Sequence, residues 1–143
     1  MKHIGFSHDH SEELKVLELK ATPARKAILD FLESEDRPLD VVSIFEYLKK
    51  RKVNADIATV FRIINKFTDK GLTKKIEFKE GKFRYELFAK DEHHHLVCNN
   101  CGNIEDISDC NISSLEKDIE KKKKFKVRSH SLEFFGLCKD CQR

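Results

Sequence analysis

The sequence predicts an α+β chain of two small domains, and three observations lead to that division. A helical periodicity runs through the first half, an alternating hairpin pattern follows it, and four of the five cysteines form two Cys-x-x-Cys pairs in the remainder. We place the first domain at 1–88 with an arm at 1–12, a hinge at 89–92, and the second domain at 93–143. If the chain were divided into two halves, each would need added stabilisation, because cores of fewer than about 70 to 80 residues rarely suffice alone.

The first domain opens with two helical segments, 11–20 and 24–34, whose apolar residues recur at helical spacing. Between them, Thr22 has the residue type of an N-cap and Pro23 that of a first helical position. We therefore expect a helix boundary at this pair.

Two further helices lead into a hairpin. Asp40 is the predicted N-cap of the first, and the second begins near Asp56 and stops at Gly71. Segments 73–78 and 82–88 then alternate in strand fashion on either side of a Lys-Glu-Gly turn. The last three of these four helices, followed by the hairpin, describe a winged helix.

Charge and hydropathy exclude some classes of protein. The formal net charge of +3 is too small to indicate nucleic-acid binding by itself. Apolar runs of a few residues fall far short of the roughly 20 that span a bilayer, and no signal-peptide pattern opens the chain. We expect a cytoplasmic protein with no membrane partner.

The second domain is predicted as strand, helix, strand. A short strand at 96–97 precedes a helix at 111–124, and residues 126–137 alternate again. Ser113 and Glu116 have the spacing of a capping box at the start of the helix.

The two cysteine pairs predict a structural zinc site. Four thiolates give the closed tetrahedral shell of such a site, and the two-residue gaps let both sulfurs of a pair turn toward one ion. A redox pair and free core cysteines are the alternatives, and Cys110 is left as a spare thiol. The predicted ligands are Cys98, Cys101, Cys138 and Cys141.

Three consecutive histidines form a second candidate site, beside the carboxylates of Glu86, Asp91 and Glu92. In an extended segment His93 and His95 face one way and His94 the other. Nitrogen and carboxylate ligands suit borderline divalent ions, although an exposed polar loop would have the same composition. A further residue, His130, alternates with Leu132 and Phe134 and either approaches this cluster or is a hydrogen-bonded core histidine.

The chain resembles the ferric uptake regulator family over nearly its whole length. The resemblance lies in LKATPARKAILDFL, DIATVFRIINKF, FRYEL, HHHLVCNNCG and HSLEFFGLC, followed by the last cysteine pair. It implies a metal-dependent repressor of metal-homeostasis genes, a homodimer that binds a double-stranded DNA operator through the winged helix. The second domain would then serve for dimerisation and metal binding.

The resemblance also implies residue roles in DNA binding. Thr59, Phe61 and Arg62 of the recognition helix would meet DNA, and we add Arg25 to this set. Phe61 stands where many members have tyrosine, so the contact of that hydroxyl is absent and Arg62 is the stronger candidate.

The family's metal sites map onto the predicted clusters. The cysteines would hold structural Zn2+, and a regulatory Fe2+, Zn2+ or Mn2+ would be bound by Glu86, His93, His95 and Asp106. A histidine that the family usually supplies from the first domain is replaced near Pro38, so His3, His8 or His10 substitutes for it or the site lacks it. A second regulatory site maps onto Glu92, His94 and His130, with Ser113 where a carboxylate is common.

Two other functions remain open on the sequence. A peroxide-sensing regulator of the same family would use iron or manganese at the regulatory site and oxidise a histidine. A small zinc enzyme is the remote alternative, but the sequence offers no evident nucleophile, phosphate loop or general base. We therefore expect no catalytic residues and no small-molecule substrate.

Overall fold

The structure is a computed structural model that describes residues 9–89, 92–108 and 110–142. The chain divides into two compact units, 1–90 and 91–143. The predicted hinge spans this division, and its residues 90 and 91, like 1–8 of the predicted arm, lie outside the described residues. In the part of the chain that is described, no helix is both long and apolar enough to cross a bilayer.

The N-terminal unit has the predicted winged-helix architecture. Its helices are α1 (Ser11–Val16), α2 (Pro23–Ser34), α3 (Val41–Lys50) and α4 (Ile57–Asp69), and its strands are β1 (Thr73–Glu77) and β2 (Phe83–Leu87). The two strands pair antiparallel and form the wing. The apolar faces of α2, α3 and α4 meet in one core, with Ile28, Leu32, Ile44, Leu48, Ile64 and Phe67 fully buried.

Short polar side chains start the helices where the sequence predicts them. Thr22, Asp40 and Asp56 are extended N-caps that accept a hydrogen bond from the backbone N–H three residues on, at 3.3, 2.7 and 2.7 Å. After α4, Gly71 adopts a φ of 75°, a conformation that glycine takes without strain. These local predictions are confirmed.

The first helix is shorter than predicted. Although 11–20 has helical spacing, α1 ends at Val16, and Glu18 turns the chain with a φ of 59°. The backbone N–H of Leu19 then donates to the carbonyl of Leu14 at 2.8 Å, and both leucines enter the core. Burying Leu19 outweighs continuing a short exposed helix.

The wing is tied to the start of α3. Leu39 and Tyr85 exchange backbone hydrogen bonds, each of 2.8 Å, so that the segment before α3 pairs with β2. Asp40 caps α3 and also accepts a hydrogen bond from Lys82 Nζ at 2.6 Å. These bonds fix the wing relative to the helices.

The C-terminal unit contains a small mixed sheet and one helix. Its elements are β3 (His94–Cys98), β4 (Ile104–Ile107), α5 (Ile112–Lys123), β5 (Glu133–Gly136) and a 3-10 turn at Lys139–Cys141. The strand order is β4-β3-β5, with β3 antiparallel to β4 and parallel to β5.

Three sequence predictions fail in this unit. The strand β4 was not predicted, and the predicted strand at 126–137 is reduced to β5. The capping box is absent, because the N-cap of α5 is Asn111 and Ser113 already lies in the first helical turn. The predicted helix at 111–124 nevertheless agrees with α5, and Asn111 makes no side-chain capping bond.

The ionised carboxyl of Asp40 should contribute measurably to stability. Burial would raise its pKa, but hydrogen bonds from Lys82 and Ser43 outweigh burial and lower the pKa from 3.8 to about 2. Because the pKa is depressed in the fold, the contribution is complete above about pH 5 and is lost as the pH falls through 2. We expect Asp40→Asn, which can still cap α3, to lower the free energy of unfolding by about 1 to 2 kcal/mol at pH 7.

Urea unfolding followed by circular dichroism at pH 7 and pH 3 measures this difference. Asp36→Asn makes the same change in charge at an exposed position of the preceding loop and should have no effect. Equal stability of the Asp40→Asn and parent proteins at pH 7 would contradict the assignment.

Candidate metal centres and nucleic-acid interface

A basic cleft of about 860 Å³ lies on the N-terminal unit, between the start of α2 and the exposed face of α4. It brings together three of the predicted DNA-binding residues, Arg25, Thr59 and Arg62. Its other cations are Lys20, Lys52 and Lys66, and the described residues that line it include no carboxylate. The cleft therefore concentrates positive charge in a chain whose net charge is only +3.

Local bonds hold the two arginines in this cleft. Arg62 Nη2 donates to Thr59 Oγ1 at 3.0 Å, and Arg25 Nη1 donates to the carbonyl of Lys20 at 3.0 Å. Arg62 lies on the exposed side of α4 because the opposite side packs into the core. Phe61, the fourth predicted DNA-binding residue, is 47% exposed on the same helix but does not line the cleft.

The four predicted zinc ligands form one cluster in the C-terminal unit. The Sγ atoms of Cys98, Cys101, Cys138 and Cys141 all lie within 4.8 Å of one another. Those of Cys101 and Cys138 are 3.7 Å apart, which is close to the edge of about 3.8 Å in a tetrahedron with zinc–sulfur bonds of about 2.3 Å. The donor set and spacing fit structural zinc.

Two outer contacts orient the sulfurs. The backbone N–H of Cys138 donates to Cys98 Sγ at 3.3 Å, and Asn100 Nδ2 donates to Cys141 Sγ at 3.3 Å. Backbone N–H groups of Cys101 and Cys138 lower the pKa of Cys98 to about 6, whereas the neighbouring thiol of Cys141 raises the pKa of Cys138 to about 12. A divalent ion resolves this conflict, because it stabilises every thiolate that binds it.

The fifth cysteine, Cys110, does not belong to this cluster. It is half-buried in the segment before α5. The structure therefore separates four ligand cysteines from one spare thiol, as the sequence predicts.

A second cluster forms around His94, on the face of β3 opposite to His95. His94 Nε2 lies 2.9 Å from His130 Nε2, and Glu92 Oε1 lies 3.3 Å from the same atom of His130. Burial, followed by the nearby His130, lowers the pKa of His94, so its imidazole is held neutral, the form that binds metal. These three residues were the predicted second regulatory site.

The fourth group of this cluster, Glu116, was not among the residues predicted for the site. Glu116 Oε1 lies 2.6 Å from His130 Nδ1, whereas the described contacts do not bring Ser113 to the site. Glu116 lies three residues after Ser113 and so faces the same side of α5. His130 reaches the cluster from the irregular segment between α5 and β5, not from the predicted strand.

The other face of β3 carries part of the first predicted regulatory site. The rings of His93 and His95 meet edge to face with centroids 4.8 Å apart, and His95 Nε2 lies 3.6 Å from Asp106 Oδ1 on β4. His95 is 5% exposed. The predicted alternation of the three histidines is therefore confirmed.

The remaining predicted ligand belongs to the N-terminal unit. Glu86 lies on β2 with 1% of its surface exposed, and its Oε1 is 3.1 Å from Lys74 Nζ on β1. Pro38, near which the resemblance implies that a histidine ligand is replaced, is buried, and its carbonyl accepts a hydrogen bond from Arg84 at 3.2 Å. Of the histidines considered as substitutes, His3 and His8 lie outside the described residues.

His10, the third possible substitute, lies against α2. Its ring nitrogens face the carboxylates of Glu13, Asp30 and Glu33 within the N-terminal unit. These three carboxylates are not part of any motif in the sequence.

Comparison with known proteins agrees with this arrangement. The model of the ferric uptake regulator family matches residues 17–135. A ferric uptake regulation protein of Bordetella parapertussis is 36% identical over 132 residues, which cover 92% of this chain and 95% of that protein. Among solved structures, a Campylobacter jejuni peroxide stress regulator superposes with a TM-score of 0.71 at 32% identity, covering 91% of this chain and 97% of its own.

A second solved structure is similar over the whole chain. The ferric uptake regulator of Helicobacter pylori, described as having three functional metal-binding sites, superposes with a TM-score of 0.85 at 27% identity. The match covers 100% of this chain and 98% of that one. The winged helix, the four-cysteine cluster and these similarities lead to one conclusion: the chain belongs to the ferric uptake regulator family of metal-dependent transcription regulators.

Proposed function

We propose that the protein is a dimeric, metal-dependent repressor that binds operator DNA of metal-homeostasis genes through the basic cleft. The observation that carries this proposal is the concentration of five cations in that cleft, in a chain that also holds clusters of metal ligands. Such a surface attracts phosphates, and Arg62, which lines it, can donate two hydrogen bonds to a guanine edge. Because a transcription regulator must reach the DNA, we propose a cytoplasmic location. We also propose that the protein has no enzymatic activity.

We propose that the regulatory ion is held by Glu86 from the wing and by His93, His95 and Asp106 from the second unit. Glu86 ends the wing and His93 follows it by only a few residues, so ligation by both would restrict the hinge between them. Metal favours DNA binding only if it binds the DNA-competent arrangement more tightly, and ligands drawn from both units provide that difference. The donor set accommodates Fe2+, Zn2+ or Mn2+.

We assign a second divalent ion to Glu92, His94 and His130, with Glu116 orienting His130. The carboxylate at Nδ1 fixes the imidazole so that Nε2 is directed at the ion, as outer partners of metal-bound histidines commonly do. With the four-cysteine zinc this makes three metal sites, the number described for the Helicobacter pylori regulator.

The dimer would form through the second unit. The edge strand β5 exposes Phe134 and Phe135, and α5 exposes Leu115 and Ile119. An exposed apolar strand edge is an aggregation hazard unless another chain covers it. A second copy would cover it and set the spacing of two recognition helices on DNA.

Removal of one zinc ligand should unfold the second unit only. We expect Cys101→Ser to abolish the thiolate-to-cobalt charge-transfer absorption of the cobalt-substituted protein and the slow-exchanging amides of β3 and β5. The N-terminal unit should keep its helices, because its core is separate. Hydrogen exchange and absorption spectra measure both effects.

Cys110→Ser is the matched control, since it removes the spare thiol and should change neither readout. A Cys101→Ser protein that retained the charge-transfer band and the protected amides would refute the zinc assignment.

Two cleft residues should affect DNA binding differently. We expect Arg62→Ala to weaken binding by about 10- to 100-fold to a duplex selected from a random pool, and to relax its sequence preference. Lys66→Ala should weaken binding to all duplexes alike and reduce the slope of affinity against salt by about 1. Fluorescence anisotropy at several salt concentrations measures both.

Lys122→Ala, which removes an exposed lysine of α5, should change neither quantity. Unaltered affinity and preference in the Arg62→Ala protein would argue against the cleft as the recognition surface.

The metal response should depend on the ligands from both units. In the zinc-loaded dimer, we expect added Fe2+, Mn2+ or Zn2+ to raise operator affinity by about 5- to 150-fold. Glu86→Gln combined with His93→Gln and His95→Gln should reduce this response to less than about 2-fold, while the cysteine cluster keeps its zinc. Glu77→Gln, the same change on an exposed residue of β1, should leave the response intact. An undiminished response in the triple variant would disprove the bridging role.

Peroxide sensing is the second candidate function, favoured by the similarity to the Campylobacter jejuni peroxide stress regulator. Mass spectrometry of the iron-loaded parent after peroxide treatment distinguishes the two. Oxygen added to His93 or His95, with loss of DNA affinity, would identify a peroxide sensor. If the histidines are unmodified, metal-dependent repression remains as the function.

A further inference from the structure

An unassigned cluster of ligand groups surrounds His10 in the N-terminal unit. His10 is 2% exposed, and its Nε2 lies 3.0 Å from Asp30 Oδ1 and 3.2 Å from Glu33 Oε2, both on α2. Its Nδ1 lies 2.7 Å from Glu13 Oε2 on α1. The ligand atoms of His10, Asp30 and Glu33 all lie within 4.8 Å of one another, and none of these residues belongs to the sites proposed above.

We propose that His10, Asp30 and Glu33 bind a divalent first-row metal ion. In a shell with bonds of about 2.1 Å, neighbouring ligand atoms are separated by about 3.0 Å in an octahedron and about 3.4 Å in a tetrahedron. The two distances from His10 Nε2 lie in this interval. One nitrogen and two carboxylates suit borderline ions such as Mn2+, Fe2+, Co2+ or Zn2+.

Glu13 prepares His10 for this role. With a metal bound, the carboxylate at Nδ1 would accept the N–H of the imidazole and leave the lone pair of Nε2 to the ion, on the side of Asp30 and Glu33. Buried metal-binding histidines commonly have such a carboxylate partner, which fixes the tautomer and the orientation of the ring.

The charge of the cluster also favours a divalent cation. Three carboxylates face one imidazole, and two of them, Asp30 and Glu33, lie at the ring nitrogen that the ion would bind. Asp30 and Glu33 are 46% and 41% exposed, which leaves the outer side of the site open to water ligands.

Metal at this site would fasten α1 to α2. The connection between these helices, 17–22, includes Lys20 and Thr22, which line the basic cleft. His10 precedes α1, and Asp30 and Glu33 lie in the second half of α2, so the ion would hold together the two helices that the connection joins. This would limit the movement of Lys20 and Thr22 and present them to DNA. This role rests on the proposed DNA-binding function, whereas metal binding itself does not.

Equilibrium dialysis of the full-length, zinc-loaded protein against Mn2+ and, separately, Co2+ counts the added ions per chain. We expect Asp30→Asn combined with Glu33→Gln to lose one equivalent relative to the parent. Asp36→Asn combined with Glu46→Gln makes the same change of charge at exposed positions and should lose none. A double variant that retains the full complement of both ions overturns the proposal.

A second measurement on the parent protein avoids any effect of the substitutions on folding. Paramagnetic Mn2+ or Co2+ should broaden or shift the amide signals of 9–16 and 30–33 at the occupancy at which the extra equivalent binds. If neither ion affects these signals, and the His10 ring nitrogens respond to pH alone, the cluster is a salt-bridged imidazolium and the metal site is refuted.

The role in DNA binding has its own readout. We expect the Asp30→Asn and Glu33→Gln variant to bind the selected operator at least about 3-fold more weakly in the presence of metal. Unchanged operator affinity combined with a lost equivalent would overturn the role of the site in DNA binding, but not the site.

Discussion

The second unit depends on four thiols that are placed to share one ion. Its described residues bury few apolar side chains, chiefly Val97 and Ile104, and none of α5 is buried. The described core cluster belongs entirely to the N-terminal unit. A fold with so little apolar burial requires another source of free energy, and zinc–thiolate bonds supply it.

The same four thiols position the histidines. Cys98 ends β3, the strand that begins with His94, and Cys138 follows β5, the strand paired with β3. Joining the two cysteines therefore fixes the strand on which the histidines alternate. A structural ion held by these thiols would thus determine where the ligands of the proposed regulatory sites point.

Because successive residues of β3 face opposite sides of the sheet, the two proposed histidine sites would respond to metal in different ways. The cluster of His94, His130 and Glu92 lies within one unit, so an ion there stabilises that unit without favouring any arrangement of the two. The proposed site of His93 and His95 takes Glu86 from the wing, and an ion there can distinguish between arrangements. By the same reasoning, the His10 cluster can order the winged helix but cannot orient the two units.

Local chemistry explains which features could be predicted. Helix starts at Thr22, Asp40 and Asp56, the hairpin and the cysteine cluster each depend on residues close in sequence, or on a motif whose chemistry has few solutions. The end of α1 could not be predicted in this way, because it is determined by the burial of Leu19 in the core. The strand β4 has only four residues, too few for a periodicity, and is defined by its pairing with β3.

Tertiary contacts explain which site residues were missed. Glu116 is one of several charged residues on an exposed helix, and only the path of the chain back to His130 distinguishes it. His10 had been considered as a ligand for the hinge site, whereas Asp30 and Glu33, twenty or more residues away, surround it in the fold. Contacts between residues so far apart in the sequence cannot be inferred from the local spacing of residue types.

The small net charge of the chain would favour the control of DNA binding by metal that we propose. A strongly basic protein would bind DNA through charge alone, whatever the orientation of its recognition helices. Here the net charge is only +3, and the basic residues that we propose for DNA binding lie in a cleft on each chain. Tight binding then requires two clefts to meet two half-sites at once, so affinity depends on their relative orientation. Restricting the hinge, the change we propose for metal binding, acts on that orientation and therefore on the larger part of the affinity.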